Sequence, residues 1–477
     1  MPGVTAAAGH PLIIQGGMGI GVSSWTLARA VSRLGHLGVV SGTAVDTVMI
    51  RRLQDGDEGG HVRRAMREFP IPDVCEHLLR RYYLAPGRRG NTPYKALPMF
   101  RKSVTIAREQ VAMIANFVEV WLAKDGHDGI VGINLLTKVQ MPNLPSLYGA
   151  MLAGVDYVIM GAGIPREIPG VLDAFAEHRA ARLKLDVEGP AGAEPDELVF
   201  DPNEHLAARK VPLKRPRFVP IVSASSLATT LARKASGRVD GFIVEGPTAG
   251  GHNAPPRGEP RFSDEGEPLY GERDVVDLEK IKELGLPFWL AGGVGTPDGL
   301  RAAIAAGAAG IQVGTLFAYC DESGLAPELK TRVLAGIAAD QVRVRTDPRA
   351  SPTGYPFKVV HVEGVENQDD RRVRNCDLGY LRTAYRTPAG KVGYRCAAEP
   401  VEQYVAKGGN ITDTFGRRCL CNGLTANIGQ PQRRDEGDEL PLLTSGDNLV
   451  SLNVFTRGRA RYSAADVIDY LCARATA

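Results

Sequence analysis

The sequence lacks a strong excess of charge and a long hydrophobic run, and each absence excludes a class of protein. Its 57 basic and 54 acidic residues give a formal net charge of +3, which is too small to predict binding to nucleic acid or to an anionic lipid surface. The opening residues, MPGVTAAAGH, do not combine a charged start with an apolar block, so we expect no secretory signal. The most membrane-like stretch, residues 302–320, is mostly alanine and glycine and contains Gln312. We therefore expect no transmembrane segment.

Cysteine is scarce, with 7 residues spread over a chain of 477. An odd number at wide spacing argues against a disulfide framework and favours a reducing, cytoplasmic location. Cys376, Cys396, Cys419 and Cys421 suggest a four-thiolate metal site, but a C-x-C pair in place of C-x-x-C is a poor zinc pattern. We predict no metal site and interpret these thiols as buried or pocket-lining.

Glycine, in contrast, is abundant, because 55 of the 477 residues are glycine against an average of about 7%. Short apolar runs followed by glycine recur along the chain, and they give the candidate strands 12–15, 38–41, 130–134, 157–160, 218–222, 242–245, 287–291 and 310–313. Most of these runs lack polar alternation, as parallel strands buried on both faces do. Helical segments lie between several of them, with N-caps predicted at Ser23 or Ser24 and at Thr296. The pattern predicts an α/β fold, a (β/α)₈ TIM barrel.

Three regions do not fit the strand-helix repeat. Residues 47–125, after the second strand, are too many for an ordinary connection, so we expect extra helices there. Residues 181–217 form a smaller insertion before the fifth strand, rich in proline and charge. The barrel pattern ends near residue 340. We predict a barrel domain over 1–340 and a C-terminal extension over 341–477 that covers the barrel mouth.

The glycines collect where the predicted strands end. They are Gly16, Gly17, Gly19, Gly21, Gly42, Gly161, Gly163, Gly246, Gly250, Gly251, Gly292, Gly293, Gly295 and Gly314. Barrel enzymes build their sites in these loops, and a missing side chain lets a ligand approach the backbone. Any single glycine is explained by a tight turn, but the whole set favours a ligand site.

The loops after the last two strands, AGGVGTPDGL (291–300) and QVGTLF (312–317), predict a phosphate site. Barrels commonly bind phosphate with this pair of loops, because free N–H groups and a helix dipole favour an anion. Gly314 and Thr315 offer backbone N–H groups and a hydroxyl. We therefore expect a phosphorylated ligand.

Polar residues at three other strand ends are candidate site residues. His252 follows the sixth strand in VEGPTAGGHNAPPRG (244–258), where an imidazole can act as an acid or base; the alternative is an idle histidine in solvent. Glu245 either accepts hydrogen bonds from ligand hydroxyls or pairs with an arginine. Asn134 either binds a heteroaromatic edge or caps its own turn. Met18 and Gly19 lie where a flat ring system can rest on the backbone.

These motifs resemble the nitronate monooxygenase (2-nitropropane dioxygenase) family of FMN-containing barrels. PLIIQGGMGIGVS, VGINLL, VEGPTAGGH and LAGGVGTPDGLRAAIAAGAAGIQVGTLF carry the resemblance, over residues 8–46 and 126–320. The superfamily also includes flavin-dependent enoyl-acyl-carrier-protein reductases and NADH:quinone reductases. The resemblance implies FMN as cofactor and does not choose the substrate.

The resemblance also implies roles for individual residues. His252 is implied as the catalytic histidine, and the implied FMN contacts are Gly17, Met18, Gly19, Asn134, Glu245, Gly250 and Gly251, with Gly292, Gly293, Gly314 and Thr315 as the phosphate cup. Many relatives carry a lysine at the end of the fifth strand, where this chain has Ser223 in PIVSASS. A serine supplies no positive charge to a reduced flavin, although Ser223 can still hydrogen-bond to the ring.

Three functional hypotheses follow. The first is oxidation of alkyl nitronates by O₂ to a carbonyl compound and nitrite. The second is an NAD(P)H-dependent reductase for an enoyl thioester or a quinone, favoured by the large additions to the barrel. The third is a flavin-binding accessory or sensor protein, suggested by the missing lysine. A basic cluster at Arg81, Arg88 and Arg89 suits an acidic or phosphopantetheine-bearing substrate or, more simply, a solvated face. A homodimer is a further expectation.

Overall fold

The computed structural model describes residues 9–90, 92–190, 195–206 and 211–473, and its centre is a barrel of eight parallel strands. The strands are β1 (Ile13–Gln15), β2 (Gly38–Ser41), β3 (Val131–Leu136), β4 (Tyr157–Gly161), β5 (Arg217–Val222), β6 (Phe242–Glu245), β7 (Phe288–Ala291) and β8 (Gly310–Val313). Each strand pairs with its neighbours in chain order. The Gln15 N–H donates to the Leu37 carbonyl at 2.9 Å and closes β1 against the residues before β2. The predicted TIM barrel is confirmed.

Apolar side chains fill the inside of the barrel. Ile14, Ile159, Ile243 and Trp289 are fully buried there, and the Trp289 indole N–H donates to the Pro11 carbonyl at 2.7 Å. The opposite strand faces pack against surrounding helices. Burial on both faces explains why the strand sequences show no polar alternation.

Helices surround the barrel and form most of the region after β2. The α-helices are Trp25–Arg33, Val45–Gln54, His61–Arg67, Pro72–Tyr82, Ile106–Lys124, Asn143–Leu152, Ile168–Ala176, Ser225–Lys234, Leu278–Lys282, Pro297–Ala305, Thr315–Ala318 and Pro327–Ala338. Ser24 and Thr296 cap two of them, since their hydroxyls accept from the Leu27 and Gly299 N–H groups. Across the described ranges, no helix combines the length and the apolar character needed to cross a bilayer.

The remaining elements are short and lie mainly in residues 341–477, called the C-terminal region below. Its strands are Val342–Asp347, Phe357–Val362, Thr383–Arg386, Val392–Arg395, Arg433–Arg434 and Gly437–Asp438, and its α-helices are Val401–Ala406, Leu420–Ala426, Asn453–Thr456 and Ala464–Cys472. Residues 181–217 hold the antiparallel strands Ala181–Lys184 and Glu197–Phe200 and the strand Val187–Glu188. The 3₁₀ helices are Glu58–Gly60, Pro202–Glu204, Glu272–Asp274, Ile411–Thr414 and Asp447–Ser451.

A buried polar network joins the region after β2 to the C-terminal region. Arg108 Nη2 lies 2.6 Å from Asp46 Oδ2, and both side chains are about 4% exposed. The Tyr380 hydroxyl donates to Asp46 Oδ1 at 2.6 Å and lies 2.7 Å from the Thr47 hydroxyl. The two regions are therefore held by charge-assisted hydrogen bonds inside the protein.

The helix Ala464–Cys472 returns to the barrel. It packs against Trp25–Arg33 and Pro297–Ala305, which are the helices that follow β1 and β7. The C-terminal region thus leaves the barrel after Pro327–Ala338 and ends on the barrel again.

Candidate active site

A cavity lies at the carboxyl ends of the barrel strands, and we call it the mouth cavity. All eight strands or their following loops line it, through residues that include Gly17, Met18, Gly19, Ser41, Asn134, Gly161, Ile221, Glu245, Gly250, Gly251, His252, Gly292, Gly293, Gln312, Gly314 and Thr315. The C-terminal region supplies the rest of the wall, namely Phe357, Tyr380, Leu381, Leu420, Cys421, Leu424, Asn427, Leu443, Thr444, Ser445, Gly446 and Asn448. The predicted glycine-rich loops are thus brought together at one place.

Buried hydroxyl and amide groups fix the loop after β1. Ser23 Oγ accepts from the Met18 N–H at 2.8 Å and donates to the Gly16 carbonyl at 2.8 Å. Gln15 Nε2 donates to the same hydroxyl at 2.8 Å, and both polar side chains are fully buried. With its polar groups paired, the loop holds Met18 and Gly19 against the cavity.

Asn134 connects this loop to β3. Its Nδ2 donates to the Gly17 carbonyl at 2.7 Å. A Cβ on Gly17 would lie 2.1 Å from Asn134 Cβ, so only glycine fits at position 17. Asn134 Oδ1 is buried and has no hydrogen-bond partner among the described residues. A buried carbonyl oxygen without a hydrogen-bond partner costs free energy of folding. An N–H group of a bound ligand would supply the missing donor.

The loops after β7 and β8 approach each other at the opposite side of the cavity. Gly292 and Gly293 have φ angles of +83° and +72°, and Gly314 and Thr315 begin the short helix Thr315–Ala318. The Thr315 hydroxyl already accepts from the Gly446 N–H at 3.1 Å. The Thr315 hydroxyl, which the sequence predicts as a phosphate contact, is therefore already hydrogen-bonded to the C-terminal region. The backbone N–H groups of the two loops are the stronger candidates for anion binding.

His252 lies at the cavity between the barrel and the C-terminal region. Its Nε2 lies 2.7 Å from Ser351 Oγ, and its ring meets Phe357 edge to face at a centroid distance of 4.9 Å. Burial, with a smaller contribution from the positive charge of Lys138, lowers the pKa of His252 to about 4. The imidazole is neutral at pH 7, and these contacts show that it does not lie free in solvent.

Glu245, the last residue of β6, also faces the cavity. Its carboxylate makes no hydrogen bond or ion pair with the described part of the chain, so the alternative pairing with an arginine is not observed. Burial raises the pKa of Glu245 to about 7. A carboxyl group that titrates near neutral pH in a cavity is a candidate for ligand binding.

One predicted contact, Ser223, and the basic cluster lie elsewhere. Ser223 is not among the residues that line the cavity; β5 ends at Val222, the inward position at the mouth belongs to Ile221, and the Ser223 carbonyl accepts from Arg257. That assignment is not supported by the structure. The basic cluster is also remote from the cavity, because Arg88 pairs with Asp55 at 2.8 Å and stacks on Tyr94.

Gln312 and Thr248 were missed by the sequence analysis as site residues. Both line the cavity, and Gln312 Oε1 is buried without a partner among the described residues. The signal for Gln312 was a polar residue inside the apolar strand β8, two residues before Gly314. For Thr248, the signal was its place inside the glycine-rich stretch after β6.

FMN fits this set of groups. Asn134 Oδ1 and Gln312 Oε1 provide unpaired acceptors for ring N–H groups, and the glycines at 292, 293 and 314 leave backbone N–H groups open to a phosphate. The cavity lining, as far as it is described, contains no lysine or arginine. A flavin held here would therefore meet backbone dipoles and no cationic side chain.

Comparisons with known proteins agree with this description. The family model described as "Nitronate monooxygenase" matches residues 200–411. A probable nitronate monooxygenase of Staphylococcus saprophyticus is 30% identical over 160 residues, which cover 33% of this chain and 40% of that protein. The (3aS,4S,5R,7aS)-5-hydroxy-7a-methyl-1-oxo-octahydro-1H-indene-4-carboxyl-CoA dehydrogenase of Mycobacterium tuberculosis is 33% identical over 167 residues, or 35% of this chain and 41% of that protein.

Each alignment with these curated relatives therefore spans less than half of the relative's length. Among solved structures, FabK from Thermotoga maritima aligns over 97% of this chain and 91% of that chain, at 18% identity and a TM-score of 0.45.

Proposed function

Residues 200–411 match the model of the nitronate monooxygenase family, and we propose that the chain is an FMN-dependent oxidoreductase acting on alkyl nitronates. The proposal depends on one observation: unpaired acceptors, open glycine N–H groups and a neutral histidine all line the mouth cavity. Bound FMN would supply the oxidation-reduction chemistry, with O₂ consumed and a carbonyl compound and nitrite produced. The protein's residues bind and orient the cofactor and the substrate, and they exclude water from the reacting atoms.

The binding roles follow from the geometry. Asn134 and Gln312 accept hydrogen bonds from the flavin ring, and the loop at Met18 and Gly19 supports the ring. Backbone N–H groups at 292, 293 and 314 hold the phosphate. This anion needs hydrogen-bond donors, and the lining provides them from the backbone and not from cationic side chains. Glu245 accepts hydrogen bonds from ligand hydroxyls.

The state of His252 favours a pre-formed nitronate over a neutral nitroalkane. A group with a pKa of about 4 is poorly matched to removing a proton from carbon at neutral pH. A nitronate is already deprotonated and needs no base. His252 then donates a hydrogen bond from its imidazole N–H to a nitronate oxygen, and its contact with Ser351 holds the ring in place.

We propose that the barrel domain ends at residue 340 and that the C-terminal region acts as a cap over the barrel mouth. Phe357, Leu381, Leu420 and Leu424 line the cavity from that region. Apolar side chains exclude water from the reacting atoms and leave room for an alkyl group. A cytoplasmic location and a homodimer stay predictions.

The test uses the purified full-length protein loaded with FMN. With an alkyl nitronate as substrate, we expect O₂ consumption, measured with an oxygen electrode, and nitrite release, measured with a colorimetric assay. His252→Asn should retain FMN, measured by its absorbance, and lose at least tenfold in turnover of the nitronate. Full turnover in the variant would remove His252 from the reaction, and failure of the unsubstituted protein on every nitronate would remove the function.

A second candidate is a flavin-dependent reductase or dehydrogenase for an acyl thioester or a quinone. The observation in its favour is the relative whose name specifies a carboxyl-CoA substrate, together with the apolar wall at Leu381, Leu420 and Leu424. Anaerobic addition of NADH separates the candidates. Rapid loss of flavin absorbance would favour the reductase, whereas slow loss with fast nitronate turnover would favour the oxygen-dependent reaction.

A further inference from the structure

Four of the seven cysteines meet beside the mouth cavity, and we call Cys376, Cys396, Cys419 and Cys421 the thiol cluster. All four line one small cavity together with Leu381 and Leu420. Leu381, Leu420 and Cys421 also line the mouth cavity. The proposed function uses none of these thiols.

Within the cluster, Cys376 and Cys396 are in direct contact through a hydrogen bond between their side chains. Cys396 is buried, at 8% exposure, whereas Cys376 is half-buried and is reached from solvent more easily. No disulfide is formed. The pair therefore combines an accessible thiol with a buried partner at contact distance.

The surroundings favour a thiolate at Cys376. The hydrogen bond from Cys396 lowers the pKa of Cys376, and the positive charge of Arg382 acts in the same direction against burial and the charges of Glu399 and Asp377. The same hydrogen bond and burial raise the pKa of Cys396 well above its usual range. A thiolate is the nucleophilic form of cysteine, so the two members of the pair are unequal in reactivity.

The arrangement fits a dithiol better than a metal centre. In the described part of the chain, no group of three or more histidine, cysteine, aspartate or glutamate side chains has a geometry that would hold a metal ion. The hydrogen bond between Cys376 and Cys396 joins two sulfur atoms. Disulfide formation requires those two atoms to close to about 2.05 Å.

We propose that Cys376 and Cys396 form a redox-active dithiol that hydrogen peroxide converts to a disulfide. The Cys376 thiolate attacks one peroxide oxygen, the O–O bond breaks, and protonation of the leaving oxygen gives one water and a sulfenic acid. The Cys396 sulfur then attacks the sulfenic sulfur, the S–O bond breaks, and a second water leaves. The two thiols lose two electrons and two protons, and hydrogen peroxide is reduced to two waters.

The test treats the full-length protein with one equivalent of hydrogen peroxide under conditions that retain the fold. We expect two of the seven thiols to become unreactive toward a maleimide, with a mass loss of two hydrogen atoms. Peptide mapping should recover one cross-link between Cys376 and Cys396, and a reducing agent should restore both thiols. This measurement needs no variant.

Variants then assign the two roles. Cys396→Ser should leave Cys376 as a sulfenic acid that a dimedone probe traps, and Cys376→Ser should abolish peroxide consumption. Cys472→Ser, which removes an exposed cysteine outside the cluster, should oxidise like the unsubstituted protein.

Three results would overturn the proposal. The first is oxidation of Cys472 before Cys376. The second is oxidation of Cys376 to sulfinic acid without a cross-link. The third is a cluster that reacts with maleimide only after a chelator releases a bound metal ion, since this would make it a metal site.

Discussion

The barrel loops and the C-terminal region form two parts of one cavity wall, and they contribute different chemistry. The barrel side contributes many glycines, together with a few polar groups at strand ends such as Asn134 and Gln312. The C-terminal side contributes apolar side chains from a strand, a helix and loops, such as Phe357, Leu420 and Leu443. A backbone wall suits a cofactor with fixed hydrogen-bonding groups, whereas side chains of varied size suit selection of a substrate.

The two parts also differ in how they are held. The barrel side depends on strand pairing, while the C-terminal side depends on individual contacts, among them two with the loop after β6. The Gly251 N–H donates to Thr444 Oγ1 at 3.0 Å, and the Lys358 N–H donates to the Gly251 carbonyl at 2.9 Å. Separate changes should therefore affect the two parts to different extents.

The largest effect is expected in the buried polar network that joins the region after β2 to the C-terminal region. Arg108→Met leaves the Asp46 carboxylate buried without its guanidinium, and removal of one partner of a buried pair costs about 3–5 kcal/mol. Urea unfolding measures the loss. Arg80→Met, in an exposed pair with Glu76, is the control and should change stability by less than about 0.5 kcal/mol. Equal effects of the two substitutions would show that the buried pair does not stabilise the fold.

The next effect tests the backbone wall. Gly17→Ala places a methyl group 2.1 Å from Asn134 Cβ, and forced overpacking costs up to about 3 kcal/mol. We expect FMN affinity to fall at least tenfold, measured by flavin fluorescence. Gly246→Ala is the matched control, because a Cβ there meets nothing closer than 3.9 Å. Unchanged FMN affinity in Gly17→Ala would contradict a cofactor role for this side.

Glu245 gives a smaller, pH-dependent effect. Its folded-state pKa of about 7 lies above the ordinary value of 4.5, so between these values the folded protein holds a proton that the unfolded chain releases. Stability should then fall as pH rises from 4.5 to 7 and stay low above 7. Glu245→Gln should remove this dependence and stabilise the ligand-free protein above pH 7 by on the order of 2 kcal/mol. Thermal unfolding over pH measures it, and Glu68→Gln, at an exposed carboxylate, should follow the unsubstituted protein.

The smallest effect tests the attachment of the C-terminal side. Thr444→Val removes the acceptor of the Gly251 N–H and should cost roughly 1 kcal/mol. Because Gly251 precedes His252, we expect a change in KM or turnover for the nitronate with little change in FMN affinity. A loss of FMN affinity as large as that of Gly17→Ala would contradict the assignment of cofactor binding to the barrel side and of substrate selection to the C-terminal side.

The sequence was informative about the barrel because each strand and its glycine loop are local patterns. The order β1 to β8 and the placement of Asn134, Glu245 and His252 at the mouth follow from strand ends alone. The contact of His252 with Ser351 depends on residues far apart in the chain, and no local pattern encodes it. Ser223 was misplaced because the direction of the chain after β5 depends on where the strand stops.

The return of the helix Ala464–Cys472 to the barrel has a consequence for how ligands enter. The residues between Pro327–Ala338 and that helix form a closed excursion whose two ends are both anchored, and not a free tail. Anchoring both ends of a segment restricts its conformational freedom. Ligand exchange should therefore occur by local movement of the loops at the mouth, without a swing of the whole region away from the barrel.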